Sequence, residues 1–303
     1  MEVVDLQVHA PGPFVDWSGA DADTRARVLK EALKQMMDAV GVDAVVFNPV
    51  DEPQYALDLA AEEPNRFCIN QLLVSHPPRA TYGVTSDVEA PDTIDRLRAV
   101  IANPHVNSVR IFLALTHAPK EYAQYQAGRF EPVFRTCQEL GFPVRLFVSG
   151  VLDIADSVAS RYPNLQIIID HFGLRQAPIS TPDDPRWLDL PKLLALASYP
   201  NIAVQVTGAP IYSAQGYPYS DVRPYITKIL TAFGVDRLAW ASDISRVRGR
   251  TGWHDPLPGG DSYQGRHNYM ESLAFWLYTD ELSESEKAKV LGGTARRLLK
   301  WPG

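Results

Sequence analysis

Three stretches of this chain end an apolar run on a side chain capable of acid–base or polarising chemistry. They are VVDLQVH, ending at Gln7 and His9, LQIIIDHFGL, which breaks at Asp170 and His171, and VDRLAWASD, ending at Asp243. An apolar β-branched run that stops at polar residues and a Gly reads as a buried strand, and parallel α/β folds place their chemistry at such C-terminal ends. Two imidazoles, an amide and a carboxylate gathered at one mouth would suit carbonyl activation. The imidazoles would donate hydrogen bonds to a developing oxyanion while the carboxylate takes a proton from water. Strand alternation puts Ile167, Ile169 and His171 in one phase, Asp5, Gln7 and His9 in another, and Asp243 above the small Ala239 and Ala241. His171 alone reads equally well as a hydrogen-bonded core histidine. Three strands ending alike favour the chemical reading.

Those ends need a scaffold, and the pattern supplies one. Strand-like runs fall at about 3–9, 43–50, 67–74, 106–114, 142–150, 165–174, 201–209 and 235–243. Helical segments alternate with them. One covers about 23–40 and closes at Gly41, another starts behind Pro53, and a third opens on Pro91. A fourth ends before Gly141, a fifth spans about 153–161, and Ser283-x-x-Glu286 has the spacing of a capping box for a C-terminal helix. With no composition shift and no internal repeat, the expectation is a single (β/α)8 barrel over residues 1–303. A doubly wound sheet is the runner-up, but no Gly-x-Gly-x-x-Gly follows the first strand.

Composition narrows the function class. An apolar fraction of 46% with 21% charged residues is that of a globular protein, and a net charge of −7 argues against a nucleic-acid surface. Cys68 and Cys137 are too few for a disulfide framework and read as buried thiols in a reducing compartment. The start MEVVDLQVHAP lacks a basic region before its apolar residues, and no run approaches the ~18 apolar residues of a membrane span. A cytoplasmic location follows as the expectation, with no nucleic-acid or membrane partner. A homo-oligomer is compatible with the sequence.

The long connections, at about 75–90, 174–190, 209–221 and 244–262, would all lie on the C-terminal face of a barrel. They carry Ser75, His76, Arg79 and Tyr82, then Arg175, then Tyr212, Tyr217 and Tyr219, and finally Arg246, Arg248, Arg250, Trp253 and His254. Arginines and aromatics around the mouth of an acidic protein suit a small planar anion. The plainer alternative is solvated charge with tyrosines packing the loops. Arg110 and Arg145 lie within strands, where a charge is costly unless paired or turned into a wet site. Each reads either as a bidentate clamp on a substrate carboxylate or as a salt bridge within the barrel wall. His117 follows the fourth strand at the mouth, His105 precedes it at the opposite face, and His267 reads as packing.

Together, DLQVHAP, IIIDHFG, LAWASDIS and VLGGTARRLLKW, with DLAAEEPNRF before the third strand, resemble the amidohydrolase-related family over essentially the whole chain. That group includes sugar lactonases, pyrone-dicarboxylate lactonase and metal-dependent aromatic-acid decarboxylases. The resemblance implies a (β/α)8 barrel with a site built from strands 1, 5, 6 and 8. The family's strand-1 motif is His-x-His, and here it reads Gln7-Val8-His9. His171 matches the strand-6 histidine, and Asp243 the strand-8 aspartate that serves as general base. Strand 5, where metal-using relatives supply a ligand, offers Arg145, Phe147 and Ser149. Thr294 stands where relatives often have Asn and is read as structural. Gln is a poor zinc ligand and Arg145 would oppose a divalent ion, so the expectation is an enzyme without cofactor. Zn or Mn held by His9, His171 and Asp243 is the alternative.

The expected activity is metal-independent hydrolysis of a lactone or related ester of a small carboxylic acid. Asp243 is the base, and His9 and His171, with Gln7, polarise the carbonyl. Arg145, Arg110, Arg246 and Arg248 would hold the carboxylate, beside Ser75, His76 and Tyr212. A metal-dependent decarboxylase or hydrolase, and a barrel that only binds its ligand, are the rival readings.

Overall fold

Apolar runs separated by amphipathic segments can bury both of their faces only in a sheet covered by helices. The computed structural model describes residues 1–9, 21–49, 54–76, 82–115, 117–175, 187–207, 212–213, 215–244 and 268–303. Its strands are β1 (Val4–His9), β2 (Ala44–Asn48), β3 (Phe67–Leu72), β4 (Val106–Phe112), β5 (Val144–Phe147), β6 (Ile167–Ile169), β7 (Ile202–Thr207) and β8 (Leu238–Ala241). They form one eight-stranded sheet in sequential order, every ladder parallel. Between them run α1 (Ala22–Val40), α2 (Gln54–Glu62), α3 (Thr93–Ile101), α4 (Pro119–Gln126), α5 (Glu131–Glu139), α6 (Asp153–Arg161), α7 (Leu190–Ala195) and α8 (Arg223–Phe233). After β8 come α9 (Tyr269–Leu277), α10 (Glu284–Ala288) and α11 (Thr294–Leu298). The fold is a (β/α)8 barrel.

Local signals explain several boundaries. Gly41 ends α1 at φ 78°, in the left-handed region that glycine enters without a Cβ clash. Ser283 caps α10 through both halves of a capping box with Glu286. Thr294 is structural, its hydroxyl donating to the Val235 carbonyl at 3.0 Å. Among the described residues no helix is long and apolar enough to cross a membrane. Cys68 and Cys137 are buried free thiols in β3 and α5. Burial pushes both thiols up, Cys137 to about 12, so neither is a nucleophile at neutral pH.

The barrel wall separates two apolar layers. Outward side chains such as Val45, Val109, Leu146, Ile169, Val204 and Trp240 pack under the helices. Inward ones, among them Val4, Leu6, Val46, Ile168, Ala203 and Ala239, pack against Leu298, Leu299 and Trp301 from the chain's end. Higher in the barrel the interior turns polar, with Asn48, Asn70, Ser108, Arg110, Arg145 and Gln205 all buried.

Two features of strand phase differ from simple alternation. The β1–β2 register shifts between Asp5 and Val8. Gln7 and His9 therefore face the interior, while Asp5 turns to Ser242 and Tyr269 at the β1–β8 seam. Likewise β6 ends at Ile169 instead of carrying His171 on the same face. Asp170 follows Ile168 into the interior, and His171 is delivered by a left-handed turn.

Candidate active site

Gln7 lies at the centre of the polar cluster above the inner layer. Its Nε2 is 3.0 Å from Asp243 Oδ1, 3.1 Å from His171 Nε2 and 3.3 Å from His9 Nε2. His9 Nε2 and Asp243 Oδ1 are themselves 3.3 Å apart, and His171 Nε2 is 3.8 Å from Asp243 Oδ2. All four side chains are buried. The strand ends thus bring together Gln7, His9, His171 and Asp243 as the sequence pattern expects.

The backbone at these positions is unusual. His171 has φ 49° and ψ 45°, Phe172 has φ 57° and Asp243 has φ 54°. Non-glycine residues seldom occupy this region, and such strain persists only where the surroundings hold it. Around His171 the holding is visible. Tyr212 donates its hydroxyl to the His171 carbonyl at 3.0 Å, and Phe172 packs edge-on against Tyr212 and Trp187. Gly173 follows at φ 65°, where an added Cβ would lie 2.3 Å from Leu152 Cδ2. Asp243 is held by its own amide, which donates to the Gln7 carbonyl at 3.1 Å, and by Ser242, tied to Asp5.

Hydrogen-bond roles follow from the partners. Asn48 O can only accept, so His9 Nδ1 carries a proton toward it at 3.1 Å, and the neutral ring turns the Nε2 lone pair inward. The Gln7 amide oxygen accepts from Arg145 NH2 at 2.7 Å and from Gln205 Nε2 at 2.6 Å. Its NH2 group therefore faces the two histidines and the aspartate. Its two amide hydrogens thus stand among these three neighbours.

Arg145 is not at the mouth. It is fully buried beneath Gln7, donating to Leu6 O at 3.0 Å, Gln7 Oε1, Gln205 Oε1 and, at 2.9 Å, Asp170 Oδ1. The expectation of a substrate clamp is corrected here: the carboxylate that Arg145 grips is the protein's own Asp170. Burial would raise the Asp170 carboxyl, but the Arg110 and Arg145 guanidiniums outweigh it and hold the group well below the usual carboxylate range. Arg110 shares Asp170, its Nε 2.5 Å from Oδ2. At 4% exposure, Arg110 uses only Nε in this pair, and its terminal amino groups have no partner among the described residues. Its guanidinium carbon lies 4.6 Å from the Phe112 ring centre and 5.7 Å from that of Phe147.

Phe112 and Phe147 form a wall, ring centres 4.8 Å apart, with His76 edge-on to Phe112, and His117 and His171 edge-on to Phe147. His76 is half-buried, its Nδ1 3.9 Å from Glu121 Oε1. Burial lowers its pKa, with Glu121 pulling the other way. Ser75 donates its amide to Thr85 O at 2.9 Å, fixing the start of the loop after β3. Tyr212 is buried under the His171 turn, so the stacking role expected for it becomes a supporting one. Tyr219 is also buried and donates to Glu271, whereas Arg175 lies 3.3 Å from Asp189. Arg79, Arg246, Arg248, Arg250, Trp253, His254 and His267 lie outside the described residues.

Sequence reasoning missed Asn48, Gln205 and the double role of Asp170. The available signal was polarity: Gln205 interrupts the apolar IAVQV run, and Asn48 ends β2 just as His9 ends β1. A buried polar side chain in a strand has to find a partner across the barrel.

Comparison with known proteins agrees with this architecture. The amidohydrolase family model matches residues 4–301. L-fucono-1,5-lactonase of Burkholderia ambifaria is 34% identical over 99 residues, 31% of this chain and 32% of that protein. A 4-sulfomuconolactone hydrolase of Rhizobium radiobacter is 32% identical over 129 residues, 42% of this chain and 40% of that one. The matched segments thus span only about a third to two-fifths of these curated relatives. Among solved structures, an amidohydrolase of Burkholderia multivorans with bound zinc aligns over 100% of both chains at TM-score 0.69 and 21% identity. A Pseudomonas putida protein described as a 2-pyrone-4,6-dicarboxylic acid hydrolase aligns over 99% of this chain and 98% of its own, at TM-score 0.62 and 19% identity. Structural likeness at these identities speaks for the fold.

Proposed function

The chain belongs to the amidohydrolase family, and within it we propose that this protein is a metal-independent hydrolase of a lactone or related ester of a small carboxylic acid. The observation that carries the reading is the meeting of Asp243 with Gln7, His9 and His171, within 3.0–3.8 Å, at the C-terminal ends of β1, β6 and β8. Lactone hydrolysis is supported by the names of the two curated relatives.

Asp243 takes a proton from the attacking water, whose oxygen bonds to the lactone carbonyl carbon. The Gln7 N–H groups and the histidines then face the developing oxyanion. His9 is held in place for this by its Nδ1 proton, given to the Asn48 carbonyl. When the ring C–O bond breaks, the proton on Asp243 passes to the departing oxygen, and the carboxylate is regenerated. The terminal amino groups of Arg110 receive the substrate's carboxylate, and Phe112 and Phe147 lie against its planar part. His76 lies edge-on to Phe112 beside them, and Ser75, next to it in the chain, and Arg246 and Arg248, which follow Asp243 in sequence, are further candidates for the carboxylate.

A divalent ion fits these residues poorly. A zinc ligand must offer a lone pair, and Gln7 offers N–H groups. The test is turnover of a panel of lactones, with and without a carboxylate, by protein kept in chelator. Wild type is expected to hydrolyse a carboxylate-bearing member, and Asp243→Asn to lose roughly 10²–10⁴-fold in kcat with KM little changed. Activity of Asp243→Asn within a few-fold of wild type would remove Asp243 as the base. Activity that appears only with added Zn²⁺ or Mn²⁺ would favour the metal-dependent reading, and binding without turnover a barrel that only binds.

A further inference from the structure

The Gln7 amide is held from below by groups that fix its polarity. Arg145 NH2 donates to both Gln7 Oε1 and Gln205 Oε1, and Gln205 Nε2 donates to Gln7 Oε1 at 2.6 Å. A guanidinium has donors only, so an amide set against it has to turn its oxygen downward. We propose that Arg145 and Gln205 are positioning residues that lock the Gln7 N–H face toward His9, His171 and Asp243, and that this polarity bars a divalent cation from their meeting point. The inference rests on the metal-free reading above and is independent of the substrate's identity.

The geometry makes the exclusion specific. Gln7 Nε2 stands 3.0–3.3 Å from Asp243 Oδ1, His171 Nε2 and His9 Nε2. Ligands bonded to zinc at about 2.0–2.1 Å in a tetrahedron are about 3.3–3.4 Å from one another. Gln7 Nε2 therefore stands from its three neighbours at about the separation of zinc ligands, as His9 Nε2 does from Asp243 Oδ1 at 3.3 Å, but it presents hydrogens where a lone pair is needed. Turning the amide over would set its N–H groups against Arg145 and Gln205 in a fully buried position. Charge acts in the same direction. Arg110 and Arg145 share the single carboxylate of Asp170, which leaves a positive layer beneath the site.

Gln7→Glu tests the lock with little change of shape. One oxygen keeps Arg145 and Gln205, and the other offers a lone pair to the meeting point. A second variant, Arg145→Met with Asp170→Asn, removes the guanidinium together with its carboxylate, so that Gln205, no longer fixed by Arg145, can turn over together with the native Gln7 amide. Each protein is purified without metal, exposed to zinc, desalted and analysed for bound zinc, with folding checked by circular dichroism. Wild type is expected to retain none, and Gln7→Glu and the double variant one zinc per chain. Zinc retained by wild type would overturn both the metal-free reading and the lock. If wild type and Gln7→Glu both stay empty, the lock alone is overturned, as it is by a folded double variant that retains no zinc.

Discussion

Replacing Asp5 by Asn should make the protein more stable at neutral pH, although Asp5 is buried and accepts four hydrogen bonds. Its Oδ1 accepts from the amides of Ser242 and Gln7 at 2.8 and 3.1 Å, and its Oδ2 from the hydroxyls of Ser242 and Tyr269 at 2.5 and 3.0 Å. Burial nevertheless outweighs these bonds and raises the carboxyl from 3.8 to about 6. The folded protein therefore holds a proton that the unfolded chain has released, and stability falls as pH rises between those values. The favourable contribution is complete below about pH 3.8 and lost above about pH 6, a change of about 3 kcal/mol at about 1.36 kcal/mol per pH unit. Asn keeps an acceptor for the two amides, and its NH2 can donate to hydroxyls that rotate to accept. At about 2.1 cal/mol/K per residue of unfolding entropy, 303 residues translate 3 kcal/mol into about 5 °C of Tm. Urea unfolding of wild type and Asp5→Asn from pH 4 to pH 8 measures it. The difference between the two proteins isolates Asp5 from Asp170, whose depressed carboxyl works oppositely and costs stability only as pH falls below 3.8. A difference that stays constant across this range would refute the argument, because Asp5 would then be ionised throughout.

Arg110→Lys should raise KM for carboxylate-bearing lactones by roughly tenfold or more while leaving neutral esters unaffected, since an ammonium loses the planar pair of N–H donors. Equal loss for both substrate types in steady-state kinetics would make Arg110 a wall residue only. Tyr212→Phe removes the bond to the His171 carbonyl. It should lower kcat by roughly tenfold with KM unchanged, the equivalent of one hydrogen bond of about 1.4 kcal/mol. Unchanged kcat would show that packing alone holds the His171 turn.

Much of this molecule was legible in its sequence because local patterns encode it directly. Eight apolar runs separated by capped helices require a covered parallel sheet, and a parallel sheet of that count with its helices on the outside closes into a barrel. The same pattern carried His9, His171 and Asp243 to strand ends, and topology then put those ends at one mouth. Phase and partnership were beyond it. Alternation assumes an unbroken strand, so it could not show the register shift that separates Asp5 from Gln7 and His9, or the left-handed turn that presents His171. Nor could it decide between Arg110 and Arg145. The two are paired neighbours on adjacent strands and share Asp170, yet one is sealed beneath Gln7 and the other keeps its amino groups at the aromatic wall. The sequence by itself determined the eight-stranded scaffold and the strand ends that carry His9, His171 and Asp243. Only the tertiary structure decided which way the Gln7 amide faces, because that depends on Arg145 and Gln205, contributed by strands 138 and 198 residues away along the chain.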